Sequence, residues 1–364
     1  MAPSRSTSLL LNAAHALDHM FLLIFATAVG AIAIDFGVAG WEDLMPFGAG
    51  AFLMFGLGSI PAGRLGDLWG RRAMMLIFFF GIGAAALLVA ATRSPWQIGI
   101  ALALMGLFSA IYHPVGIPML VQAAARPGSV IGINGLAGNL GIAAAALCTG
   151  FLVKWGGWRM AFIVPGLVSI ALGVLFAWVT PRETEAPNKR KPTIKAIPAS
   201  MMVRVLFVLT AVAISASLLF NFTTNGNAEL LRERFVGILE DPAMLGILLA
   251  GVYTVGALSQ VVVGELIDRV PLKRLFFGIV IMQAPLFLLA AHATGWWFAL
   301  LAAGYMVSLF GAIPFTDALV VRYIDDRMRS RVTGVRLAIS FGVSSAAVWA
   351  LGPFVKAPAS IPCC

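Results

Sequence analysis

Charged residues are scarce in this sequence: Asp, Glu, Lys and Arg together make up 11% of its 364 residues. A water-soluble fold of this length needs a polar surface, and so few charged side chains would not cover one. Hydrophobic residues account for 60% of the chain. This balance excludes an ordinary soluble domain and indicates a protein that crosses a membrane several times.

Cysteine is rare as well. The three cysteines are Cys148, inside an apolar run, and the adjacent pair Cys363 and Cys364. They cannot supply a disulfide framework or a four-cysteine zinc site. The sequence also lacks the Gly-x-x-x-x-Gly-Lys-Ser/Thr loop that cradles nucleotide phosphates. We therefore expect no ATP-driven step on this chain, which leaves an ion gradient or a substrate gradient as the driving force.

Long apolar runs dominate what is present. A helix needs about 20 apolar residues to cross the hydrocarbon core of a bilayer, and eleven such runs occur. They lie near residues 9–34, 44–62, 73–92, 95–122, 130–153, 159–180, 205–224, 244–263, 275–293, 296–321 and 332–355. We predict an all-α polytopic membrane protein with a six-helix N-terminal half over residues 1–180, a cytoplasmic linker over 181–204 and a C-terminal half of five helices over 205–364.

Two loops between apolar runs resemble each other. Residues 63–72 read Gly-Arg-Leu-Gly-Asp-Leu-Trp-Gly-Arg-Arg, and residues 264–274 read Gly-Glu-Leu-Ile-Asp-Arg-Val-Pro-Leu-Lys-Arg. Superposition of the two aligns Asp67 with Asp268. Duplicated halves of this size are typical of transporters. Such a repeat predicts twelve spans, so the twelfth is missing from the predicted set.

The net charge of +9 comes from basic residues in the short loops between apolar runs. Such loops are typical of the cytoplasmic side of a membrane, so we expect the N-terminus and both repeated loops to be cytoplasmic. This distribution explains the net positive charge, so we expect no nucleic-acid partner. The first run follows Arg5, as in a signal peptide, but it carries His15, Asp18 and His19. We interpret it as a retained first span.

The loop over residues 63–72 resembles the signature between the second and third helices of the major facilitator superfamily. The segment Gly157-Trp-Arg-Met-Ala-Phe162 is similar to that family's entry to helix six. The resemblance implies two pseudo-symmetric helical halves that rock around a central site. It also implies a conformational latch at the loops, formed by Gly63, Asp67, Gly70, Arg71, Arg72 and Asp268. The alternative for the loop residues is a positively charged anchor with a turn.

Ionisable residues inside apolar runs are costly in a bilayer and are therefore candidates for function. His15, Asp18 and His19 are spaced i, i+3, i+4, so they share one face of helix one. In the family that the chain resembles, helices one, four, seven and ten line the central cavity, and the polar residues concentrate on those helices. The predicted substrate or proton pathway comprises His15, Asp18, His19, Tyr112, His113, Asn221, Asn225, Tyr305 and Asp317.

A structural role is the alternative for these residues. The histidine and aspartate residues of helix one lie near the end of their run, where they could form an interhelical network. His113 precedes a proline that loosens its helix. Asp317 could pair with Arg322 or Arg336. Asn134 is interpreted as a helix-packing residue.

A narrower similarity concerns a branch of efflux proteins. His15 with Asp18 and His19, Tyr112-His-Pro114 and Gly138-Asn-Leu-Gly141 are similar to the fosmidomycin-resistance-like branch. We expect a secondary active transporter that exports a small organic or drug-like molecule in antiport with protons, since histidine titrates near neutral pH. Uptake or facilitated diffusion of a small organic solute is the alternative. The expected partners are the small-molecule substrate, protons and the bilayer, with the protein a monomer in a bacterial inner membrane.

An alternative of another class is an intramembrane metal enzyme, because His15, Asp18 and His19 are three potential metal ligands. No second ligand-rich motif in the sequence completes a hydrolase or desaturase site. We therefore expect no metal, no cofactor and no enzymatic activity. A relative that does not transport is the remaining alternative.

Overall fold

The computed structural model describes the backbone of residues 3–39, 41–189, 199–239 and 242–356, and no strand occurs among them. The helices are α1 (Arg5–Phe36), α2 (Trp41–Leu44), α3 (Ala49–Trp69), α4 (Arg71–Ala90), α5 (Pro95–Ser109), α6 (Ile117–Leu120), α7 (Pro127–Gly156), α8 (Trp158–Val179), α9 (Ala199–Arg234), α10 (Pro242–Ile267), α11 (Leu272–His292), α12 (Gly295–Tyr323) and α13 (Arg329–Lys356). The predicted all-α fold is confirmed. Part of the predicted linker, residues 190–198, lies outside the described residues.

Ten helical segments of the described chain are long and apolar enough to cross a membrane. They fall on the first ten predicted runs, and α13 lies on the eleventh. The fourth span runs from Pro95 to Leu120 and contains α5, a π-helical turn at Tyr112–Gly116 and α6. Pro114 lies inside this turn and has no backbone N–H to donate, which accounts for the local departure from α-helical bonding.

Single glycines join two pairs of consecutive helices. Gly70 lies between α3 and α4 with a φ of +103°, and Gly157 lies between α7 and α8 with a φ of +77°. Residues with a side chain rarely adopt such angles. At Gly70 an added Cβ would also lie 2.5 Å from Oε2 of Glu183. The tight turn in the first repeated loop therefore requires the glycine found there.

Apolar side chains form two main clusters. One lies among α1–α8 and includes Phe21, Phe78 and Phe162. The other lies among α9–α12 and includes Phe235 and Met306. Each set of helices therefore has a core of its own. The domain boundaries inferred from the sequence stay a prediction.

Two long helix pairs form most of the packing between the N-terminal helices α1–α8 and the C-terminal helices α9–α13: α3 packs along α13, and α7 packs along α10. Glycines allow both approaches. A Cβ on Gly63 would overlap the backbone of Ser330, and a Cβ on Gly264 would lie 2.9 Å from Cα of Gly132. Small residues at such crossings bring helix backbones into contact inside a membrane.

Gly106 provides a test of the packing inside the N-terminal helices. A Cβ on this residue would overlap the backbone oxygen of Ala51, so α3 and α5 would have to separate. We expect Gly106→Ala to lower the free energy of unfolding by about 1–3 kcal/mol, as overpacking generally does. Thermal unfolding in detergent measures the effect. Gly30→Ala is the matched control, because open space surrounds Gly30, and it should leave the midpoint unchanged or slightly higher.

Candidate functional site

Three histidines meet where α1 faces the π-helical turn of the fourth span. His15 and His19 lie one turn apart on α1, and His113 lies in the turn. The Nε2 atom of His19 is 3.2 Å from Nε2 of His15 and 3.3 Å from Nε2 of His113. The shared face of helix one predicted the first contact. The structure adds His113, which the sequence placed on a different helix.

Asn134 of α7 fixes the orientation of His15. Its backbone oxygen lies 2.7 Å from Nδ1 of His15, and since a carbonyl only accepts, Nδ1 carries the proton. The side-chain amide of Asn134 donates to Oδ1 of Asn12 at 2.8 Å and to the Tyr112 hydroxyl at 2.7 Å. The Tyr112 ring stacks on the His15 ring with centroids 4.7 Å apart. Asn134 therefore supports the histidines as well as packing two helices together.

Asp18 is fully buried beside the histidines. Its Oδ2 atom lies 3.6 Å from Nε2 of His113, and neither carboxylate oxygen has a hydrogen-bond partner within the described part of the chain. An unpaired carboxylate in an apolar interior costs far more free energy than a neutral or cation-paired one. The site therefore favours a bound proton or another cation at Asp18.

The C-terminal helices contribute a second polar group. Asp317 of α12 pairs with Arg336 of α13 at 2.6 Å, which decides between its two expected partners. The Tyr305 hydroxyl donates to Oδ1 of Asn227 at 2.7 Å. The sequence analysis did not select Asn227, because one amide in a polar stretch of helix carries no distinctive signal.

Two predicted pathway residues of α9 are not part of this geometry. The side chains of Asn221 and Asn225 lie outside the described residues. Their place in the pathway stays a prediction.

Asp67 contacts the C-terminal helices at the end of the bundle that carries both repeated loops, here called the loop end. Its Oδ2 atom accepts a hydrogen bond of 3.0 Å from the backbone N–H of Arg331, the third residue of α13. The first turn of a helix has free N–H groups and a partial positive charge, so a carboxylate there is stabilising. Both Asp67 and the adjacent Arg71 are fully buried.

Arg71 bonds to the segment from Asp326 to Ser330 and to the end of the fourth span. Its Nη1 donates to Oδ1 of Asp326 at 2.9 Å and to the backbone oxygen of Pro118 at 3.2 Å. Its Nη2 donates to the backbone oxygen of Asp326 at 2.8 Å, and its Nε donates to Oγ of Ser330 at 3.3 Å. The sequence analysis missed Asp326 and Ser330, since both lie outside the repeated loops and belong to no motif.

Asp268 makes the corresponding contact from the C-terminal helices to the start of an N-terminal helix. Its Oδ1 atom accepts from the backbone N–H of Gly128, and its Oδ2 accepts from that of Ser129, both at 2.9 Å. These residues lie in the first turn of α7. Glu265 adds an ion pair with Arg126. The aspartate of each repeated loop therefore contacts the start of a helix in the other set, that is, Asp67 contacts a C-terminal helix and Asp268 an N-terminal helix.

Arg72 lies differently from the other predicted latch residues. Its Nε donates to the backbone oxygen of Thr180 at 2.8 Å, and its Nη2 donates to that of Ala177 at 2.6 Å. Both carbonyls lie at the end of α8, where a cation is favourable. Arg72 thus contacts the N-terminal helices, and Gly70 forms the turn that positions it.

Comparison with known proteins agrees with this fold. The family signature described as Major Facilitator Superfamily matches residues 9–235. The puromycin resistance protein pur8 of Streptomyces alboniger is 30% identical over 134 residues, 36% of this chain and 26% of that protein. The probable actinorhodin transporter of Streptomyces coelicolor is 30% identical over 148 residues, 39% of this chain and 25% of that protein. The chain spans about a quarter of the length of these two relatives.

A solved structure extends the likeness to most of the chain. The proton:xylose symporter XylE of the major facilitator superfamily superposes with a TM-score of 0.77 at 14% identity, covering 96% of this chain and 88% of that chain. The narrower similarity to the fosmidomycin-resistance-like branch stays a prediction. Since the signature covers more than half of the sequence and the fold agrees with it, this multi-pass membrane protein belongs to the major facilitator superfamily, a family of transporters rather than enzymes.

Proposed function

We propose that the chain is a secondary active transporter that works by alternating access. The observation that carries the proposal is the cluster of His15, His19, His113 and Asp18, which lies inside membrane-spanning helices and includes a fully buried carboxylate. An ionisable cluster at such a depth is costly to maintain and is a candidate for handling substrate or ions.

The contacts at the loop end support the movement that such a transporter needs. Residues 1–180 and 205–364 would act as two rigid halves that rock around the cluster. Asp67 bonds to the start of α13, and Asp268 bonds to the start of α7, so both aspartates link the halves. Close glycine contacts between the halves lie at the same end. We assign the structure to the state in which the loop end is closed. Opening that end would break both aspartate contacts together.

The proposed activity is export of a small organic or drug-like molecule in exchange for protons. The two relatives support this substrate class, since one is named for resistance to an antibiotic and the other as a probable transporter of actinorhodin. Asp18 and the histidines would hold the protons, because they are ionisable side chains that lie together inside the membrane-spanning helices. Uptake or facilitated diffusion of an organic solute is the alternative.

The charge of the loops supports a proposed location. By the positive-inside rule, the basic residues of the repeated loops favour a cytoplasmic loop end and a cytoplasmic N-terminus. The proposed setting is the inner membrane of a bacterium, with the protein acting as a monomer.

Flux in proteoliposomes under an imposed pH gradient tests the proposal. A dye reports internal pH while small organic acids and antibiotics are offered one at a time, in buffers freed of metal ions by a chelator. Proton movement that depends on one compound supports coupled transport, and its sign distinguishes antiport from symport. A compound that equilibrates without proton movement supports facilitated diffusion instead. The absence of flux for every compound would contradict the transporter assignment.

Asp18→Asn tests the role of the buried carboxylate. The amide has the same shape but cannot release a proton, so we expect pH-driven flux to fall to the level of empty vesicles while the protein still reaches the membrane. Asp35→Asn is the control, because Asp35 pairs with Arg159 at a partly exposed position and such pairs contribute little. Flux with an unchanged pH dependence in Asp18→Asn would refute proton coupling at this residue.

Asp67→Ala tests the contact between the halves. Removing a helix-capping side chain costs about 0.5–2 kcal/mol, so the loop end should open more often. The reporter is Thr333→Cys, buried at this interface, in a chain whose native cysteines are serine. We expect a water-soluble maleimide to label it several-fold faster in Asp67→Ala. Arg72→Gln is the control, since Arg72 bonds within the N-terminal helices, and equal labelling in all three backgrounds would argue against a latch.

A further inference from the structure

The ring nitrogen atoms of the histidine cluster lie close together. The Nε2 of His19 lies 3.2 Å from that of His15 and 3.3 Å from that of His113, and all three ligand atoms lie within 4.8 Å of one another. Zinc bonds to nitrogen of about 2.0–2.1 Å in a tetrahedral arrangement place neighbouring nitrogens about 3.3 Å apart. We infer that this cluster binds a divalent transition-metal ion of the zinc class.

The positions of the protons favour a cation over hydrogen bonds alone. His15 donates its Nδ1 proton to the oxygen of Asn134, so the Nε2 of the neutral ring presents a lone pair to His19. A neutral His19 has at most one proton on Nε2, and that proton can serve one neighbour at a time. One of the two short contacts is therefore unsatisfied when all three rings are neutral. A metal ion at the centre accepts all three lone pairs at once.

The contact between His15 and Asn134 is also the support that metal-binding histidines commonly have. Such a histidine usually donates its other ring N–H to a carbonyl or a carboxylate, which fixes the tautomer and the ring orientation. Stacking of Tyr112 on the His15 ring restricts the same rotation. The first histidine is therefore held in the form that binds a metal through Nε2.

Asp18 lies beside the three nitrogen ligands. Its Oδ2 lies 3.6 Å from Nε2 of His113. Its carboxylate is fully buried and has no hydrogen-bond partner among the described residues. A divalent cation held by the three histidines would compensate this charge from close by. Three imidazoles form a donor set typical of zinc or cobalt and unlike the oxygen-rich sites of magnesium and calcium.

The inference adds to the proposed function. One consequence alone, transport of the bound ion, rests on that function. If the two halves alternate around the cluster, the ion bound there is carried across the bilayer, so the substrate class includes divalent transition metals. Binding itself requires no transport, and the two ideas can fail separately.

Binding of Zn²⁺ and Co²⁺ to the purified full chain tests the inference. The protein carries no polyhistidine tag, and titration calorimetry measures Zn²⁺ while absorption spectroscopy follows Co²⁺. We expect one ion per chain and the intense visible bands of tetrahedral Co²⁺. Loss of a supporting partner alone typically weakens metal affinity about 10- to 100-fold, so His19→Asn and His113→Asn should weaken it by at least that factor.

His292→Ala is the matched control, because His292 lies at the exposed end of α11 and is the histidine outside the cluster. It should bind metal as the unmodified chain does. Equal binding by the unmodified chain and both cluster variants would overturn the inference, as would weak octahedral Co²⁺ bands in the unmodified chain. If a cluster variant fails to fold, the Co²⁺ spectra of the unmodified chain and of His292→Ala test the inference instead. Tight binding without flux would refute the transport proposal and leave the metal site standing.

Discussion

The hydrocarbon core of a bilayer offers no hydrogen bonds, so every polar group placed in it must find its partner within the protein. This constraint organises the molecule. Arg71, with no exposed side-chain surface, is bonded to carbonyl, carboxylate and hydroxyl oxygens from the fourth span and from the start of α13. Asp317 is satisfied by Arg336. Among the described buried groups without a hydrogen-bond partner is the carboxylate of Asp18, which lies beside His113.

The same constraint explains why the repeated loop is built around an aspartate. A helix that starts near the membrane surface has N–H groups without partners in its first turn. Asp67 supplies an acceptor to α13, and Asp268 supplies two to α7. Both contacts cross between the two sets of helices, so the charge that completes a helix in one set also holds the sets together.

Much of this arrangement could be predicted from the sequence, and the limits have physical causes. The spans followed from the length of apolar runs, and the shared face of His15 and His19 followed from helical spacing. The approach of His113 depends on how α1 packs against the fourth span, which a helical period does not encode. Asp326 escaped detection for a similar reason, since its partner Arg71 is more than 250 positions away and the ion pair exists because of tertiary packing alone.

The π-helical turn of the fourth span separates the cluster from the loop end by very few residues. His113 lies within the turn, and Pro118, whose carbonyl accepts from Arg71, lies two residues beyond it. A π-helical turn holds about one residue more than an α-helical turn, and one residue corresponds to a rotation of about 100°. Tightening of this turn would therefore rotate Pro118 relative to His113. The carbonyl of Pro118, which accepts from Arg71, would then turn with it.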